Sequence, residues 1–94
     1  MIQRFCFVKL LDDEVGTRAE LAEMLRAQLI SAGADVVVGL PADHSAVRWD
    51  LSIVITAASI EAWNALAMQP AMTGVFDELA ARSAVVKAWT FEAI

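Results

Sequence analysis

One cysteine, one histidine, two prolines and seven basic residues are all that this 94-residue chain holds of the residue types that most often signal a site. Cys6 alone cannot close an internal disulfide, which fits a reducing compartment. With His44 as its sole histidine and no Cys/His spacing, the chain offers no ligand set for zinc. No glycine-rich segment provides a phosphate loop, so neither a metal nor another cofactor is expected. Seven Lys and Arg stand against twelve Asp and Glu, for a net charge of −5, and they form no basic cluster along the sequence. Nucleic-acid binding through phosphates and attachment to an anionic membrane are therefore excluded as expectations. No apolar run approaches the roughly 20 residues of a membrane-spanning helix. The opening MIQRFCFVKLLDDE is broken by Lys9 and closes on acids, unlike a signal peptide. A soluble, cytoplasmic protein is expected.

What the chain has in excess is apolar surface. Hydrophobic residues make up 59% of it, against a usual share of about 45–50%. One domain spanning residues 1–94 is expected, without repeat, linker or low-complexity segment. A domain of this size has much surface per residue, so the excess must cover a subunit interface or line a cavity.

Ile2 to Leu11 reads as a strand with two largely apolar faces, Ile2, Arg4, Cys6, Val8 and Leu10 on one and Gln3, Phe5, Phe7, Lys9 and Leu11 on the other. Asp12-Asp13-Glu14 reads as a solvated turn, and Thr17 to Glu20 matches a capping box opening a helix to about Ala32. Gly33 supplies a left-handed stop. Val36 to Leu40 is a second strand, Pro41 to Arg48 a polar loop, and Trp49 to Ala57 a third strand with Leu51, Ile53 and Ile55 on one face. Ser59 caps a helix that ends near Met68. Pro70 cannot continue that helix and suits the first position of another, running to about Arg82. Ala84 to Phe91 is the fourth strand. The order βαββαβ predicts an α+β, ferredoxin-like fold: a four-stranded antiparallel sheet with its helices on one face. Phe5, Phe7, Trp89 and Phe91 then lie on the opposite face, and two copies placed sheet to sheet would bury them as an α+β barrel.

Several residues together resemble the stress-responsive dimeric α/β-barrel (Dabb) family over nearly the full length. They are the MI-x-R start with the following strand and Lys9, Gly39 ending the second strand, Trp49-Asp50 opening the third, and SIEAWNALAMQPAM. The resemblance implies a homodimeric barrel with a cavity between each sheet and its helices, roofed by the helix that breaks at Pro70. It places Gln69 and Met72 where the family commonly carries two histidines. Members that cyclise linear polyketides carry a His at the place of Met72, a Tyr at that of Leu66 and a second His at that of Arg4. Here none of these three positions holds a group that can shuttle a proton near neutral pH.

The implied cavity residues are Arg4, Cys6, Leu51, Ile53, Leu66, Gln69 and Met72. Arg4 has two readings: an anchor for a carboxylate in an apolar cleft, or a partner of a surface acid. Cys6 reads as a core thiol, His44 beside Asp43 and Ser45 as a solvated loop histidine, and Met24, Met68 and Met72 as core filling. Three functions stay open: a barrel binding a small apolar or acidic molecule, a cofactor-free cyclase, isomerase or monooxygenase, and a dimerisation module with a filled cavity.

Overall fold

Alternation along the first strand decides which side of the sheet is inside. In the computed structural model, which describes Met1 to Ile94, Ile2–Leu10 forms β1. Its residues Ile2, Cys6, Val8 and Leu10 are buried, while Gln3, Phe5, Phe7 and Lys9 face the other way. β1 pairs antiparallel with β3 (Leu51–Ala57) and with β4 (Ser83–Glu92), and β3 pairs with β2 (Asp35–Gly39). The sheet order is β2-β3-β1-β4. Register sets Cys6 against Ile53 and Ala88, and Val8 against Leu51 and Val86, so these residues share the inner face. The fold is the predicted βαββαβ, ferredoxin-like arrangement.

Three helices cover the inner face: α1 (Arg18–Ser31), α2 (Ile60–Ala67) and α3 (Pro70–Ala81). α1 buries Leu21, Ala22, Leu25 and Leu29, and α3 buries Met72, Val75 and Leu79. With Val8, Leu10, Leu51, Ile53 and Ile55 they form one continuous core. Gly33 ends α1 at φ 98°, a backbone conformation that a side chain would strain. Ser59 caps α2 through Ala62 N–H, at 3.1 Å. Pro70 opens α3, and the Gln69 carbonyl accepts from Met72 N and Thr73 N.

Three local expectations are corrected. Asp12–Thr17 is the expected turn, wound as a 3-10 helix, but Thr17 does not cap α1. Its backbone continues the turn, so its hydroxyl donates to Glu14 O at 3.1 Å. Glu14 in turn accepts from Arg82 Nε and Nη2 at 3.0 and 2.8 Å, which ties the turn to the end of α3. Met68 is not core filling: it is 80% exposed, at the last turn of α2, a helix that buries no residue fully. Strand three begins at Leu51 rather than Trp49, and Asp50 is taken up by contacts with β1 and α1. Asp50 is buried; its Oδ2 accepts from Leu10 N at 2.8 Å and its Oδ1 faces Arg18 Nη1 at 3.3 Å. Asp50 N donates to Val8 O, so this residue clamps the end of β1 from both sides.

No helix is long and apolar enough to cross a membrane.

Candidate functional site

A cleft of about 290 Å³ opens between the inner face of the sheet and the α2–α3 roof. Its sheet wall is Arg4, Cys6, Ile55, Val86 and Ala88, and its roof is Trp63, Ala67, Met72, Thr73, Phe76 and Asp77. The break at Pro70 makes this space, because a straight helix cannot bring Trp63 and Phe76 over the same strands.

Arg4 is the cleft's one basic group. Its Nη1 donates to Thr90 Oγ1 at 2.9 Å, and its guanidinium lies 5.6 Å from the Trp63 ring centroid, within range of a cation–π contact. No carboxylate stands within ion-pair distance of it; the ion pairs of this chain use Arg18, Arg82 and the N-terminus. The reading of Arg4 as the partner of a surface acid is therefore replaced by a cation held by a hydroxyl and an indole, with donors to spare.

Cys6 lies at the floor. Burial pushes its thiol up, and the nearby Arg4 charge only partly offsets this. The thiol is the neutral, poorly nucleophilic form at neutral pH. Thiol-specific reagents at pH 8 are expected to label native protein far more slowly than protein in denaturant, as stopped-flow absorbance would show. Equal rates would contradict the burial. Because the folded state favours the protonated thiol, this group's contribution to stability is full below its unfolded pKa and is lost as pH rises toward the folded value.

The cavity residues expected from the sequence do not all meet here. Arg4, Cys6 and Met72 line the cleft. Leu51 and Ile53 lie deeper along β3, 1% and 0% exposed, in the core opposite Val8 and Cys6. The β3 residue at the cleft is Ile55, paired with Arg4. Leu66 packs against the core and is not among the residues that line the cleft. Gln69 is exposed at the junction and makes no side-chain capping bond. Trp63, Phe76 and Asp77 were not anticipated; the 63/67 spacing on the roof helix was the available signal. His44 is exposed, and Asp43 accepts from Ser45 N and Oγ, not from the imidazole. The Ser45 hydroxyl holds the Asp43 carboxyl below its ordinary value. No three His, Cys, Asp or Glu side chains converge as a metal site.

On the outer face, Phe5 packs edge-on against Phe91 at 5.7 Å, and Phe7 lies 5.8 Å from Trp49 and 6.1 Å from Trp89. Gln3, Phe5, Phe7, Trp89 and Phe91 line an open apolar hollow of about 530 Å³. Trp89 is 47% and Phe91 57% exposed.

No family model and no curated protein matches this chain. Among solved structures, a dimeric ferredoxin-like protein of unknown function from Jannaschia sp. CCS1 is similar at TM-score 0.78 and 15% identity, over 98% of each chain. A dimeric protein of unknown function from Bacteroides fragilis NCTC 9343 is similar at TM-score 0.76 and 15% identity, over 98% of this chain and 95% of that one. An antibiotic biosynthesis monooxygenase is similar at TM-score 0.72 and 9% identity, over 100% and 99%. The chain shares with all three the ferredoxin-like fold.

Proposed function

We propose that this protein is a homodimeric α+β barrel of the Dabb type that binds a small apolar carboxylic acid in the cleft beneath the broken helix. One observation carries the reading: Arg4, without a carboxylate partner, lies against Trp63 in a cleft whose other walls are mostly apolar. A ligand carboxylate takes the free donors, and the ligand body lies against Trp63, Phe76 and Met72. Asp77, also at the cleft, repels an acid and so favours a pose with the carboxylate on the Arg4 side. The pairing of two copies is supported by the exposed aromatic face and by neighbours that are described as dimeric. Cytoplasmic residence fits the single buried thiol.

Catalysis is the second reading, favoured by the monooxygenase of the same fold. The cleft provides little for it: an apolar thioether at Met72, a protonated thiol at Cys6 and an acid at Asp77, with no histidine among the lining residues.

Binding is tested by thermal shift with 2-naphthoate and with its uncharged amide. A ligand at a hundredfold excess over Kd stabilises by about 2.7 kcal/mol, which for a domain of this size is a rise in Tm of roughly 10 °C or more. Arg4→Met keeps the apolar stem and removes the donors. It is expected to abolish the shift by the acid and to leave the free protein's Tm nearly unchanged. Equal shifts by 2-naphthoate in both proteins would sink the proposal, as would an unliganded variant far less stable than the parent.

A further inference from the structure

The cleft carries opposite polarity at its two ends. Arg4 marks one end: it pairs with Thr90 across the strands and lies against Trp63 of α2. α3 passes into β4 through Arg82 alone, so Phe76 and Asp77, late in α3, lie toward the start of β4, where Val86 lines the cleft. Val86 and Thr90 are four residues apart along β4, roughly 13 Å. The guanidinium and the Asp77 carboxylate therefore stand on the order of 10 Å apart, and they form no ion pair. Asp77 has no other cation. The ion pairs of this chain use Asp50, Glu14 and Glu92, and no basic residue stands between Met68 and Arg82. Thr73, one turn before Asp77 on the same helix face, gives its hydroxyl proton to Pro70 O at 3.1 Å and keeps its lone pairs. The Arg4 end thus offers donors and the Asp77 end acceptors. Between them the walls are apolar: Ile55, Met72, Phe76, Val86 and Ala88.

We propose that the cleft takes a bipolar ligand, an aromatic amino acid whose carboxylate and ammonium sit at opposite ends of a flat apolar frame. This rests on the carboxylic-acid reading of the cleft and narrows it. A carboxylate on the Arg4 guanidinium makes a charge-assisted contact. An ammonium carries three donors and no acceptor, which matches an end that holds a carboxylate and a hydroxyl oxygen. Asp77 is exposed, so its pair with the ammonium is partly screened and acts on selectivity more than on affinity. An α-amino acid has both charges at one end of its frame and cannot engage both ends of the cleft. The cleft lies on the helix side of the sheet, whereas Phe5 and Phe91 lie on the other side. A second copy seated on that outer face does not cover it.

Calorimetric titration with 4-(aminomethyl)benzoate and with 4-ethylbenzoate, which has the same shape and no ammonium, tests this. Asp77→Asn keeps the side chain's shape and removes its charge. It is expected to weaken binding of 4-(aminomethyl)benzoate about threefold, the size of a partly exposed charge pair. Binding of 4-ethylbenzoate should instead tighten, because the repulsion of its carboxylate is gone. Phenylalanine should bind the parent protein more weakly than 4-(aminomethyl)benzoate, and equal binding would overturn the proposal. An unchanged ratio of the two benzoates in Asp77→Asn, with 4-ethylbenzoate still bound, would also overturn it and leave the carboxylic-acid reading standing. If neither benzoate binds the parent protein, the carboxylic-acid reading itself falls, and this proposal with it. Light scattering on the same samples is expected to show one oligomeric state throughout, so the affinities report the cleft and not the association of subunits.

Discussion

Phe5→Glu is expected to convert a dimer into a monomer, or into insoluble protein, with a loss of association of about a thousandfold or more. Phe5 is on β1, a central strand, and faces away from the helices against Phe91 and beside Val54. A carboxylate buried there without a partner costs several kcal/mol per ion. In a twofold interface each substitution counts twice, so about 4 kcal/mol, a thousandfold in Kd, is a lower figure. Phe5→Leu keeps apolar surface and should remain dimeric. Light scattering on both variants at micromolar concentration decides the matter. A Phe5→Glu protein that stays dimeric places the subunit contact elsewhere, and leaves the outer face without its proposed partner.

The largest effect on the single chain should come from Asp50→Ala. This change strands the Leu10 N–H, which is buried with Leu10 itself at 0% exposure. An unsatisfied buried donor costs about 1–3 kcal/mol. Arg18, the second partner, has a side chain 42% exposed and recovers water, so its share is small. A total near 3 kcal/mol corresponds to a fall in Tm of roughly 10–25 °C in a domain of this length. Asp50→Asn keeps an oxygen for Leu10 and should lose less. Arg18→Met should lose under about 1 kcal/mol. Calorimetry showing Asp50→Ala as stable as Arg18→Met would mean that the clamp contributes nothing beyond a surface ion pair.

What could be read from the sequence was local. Ser59, Gly33 and Pro70 act through their own dihedrals or their own nearest N–H groups, and each lies where its chemistry placed it. The alternation of Phe5 and Phe7, with Trp89 and Phe91, also sufficed to put four aromatics on one face. What could not be read depends on who meets whom. Asp50 is half of the Trp49-Asp50 pair, but its role depends on a backbone N–H 40 residues away. The rotation of α2 about its axis decides that Trp63 reaches the cleft and Leu66 the core, and a helix of eight residues leaves that rotation to packing. Arg4's partner, Thr90, is 86 residues distant. Thr17 carried a capping signature, and the 3-10 turn before it claimed the hydroxyl first.

The break at Pro70 divides the roof into halves of unequal hold. α3 is fixed by Met72, Val75 and Leu79, whereas α2 buries no side chain fully and rests on half-buried Trp63 and Leu66. Local opening free energy follows such differences in buried apolar contact. Amide exchange is therefore expected to be faster along α2 than along α3. Pro70 has no N–H to donate back into α2, so this opening breaks no hydrogen bond from the first residue of α3. Equal protection of Trp63 and Val75 amides would show that α2 is held as firmly as α3.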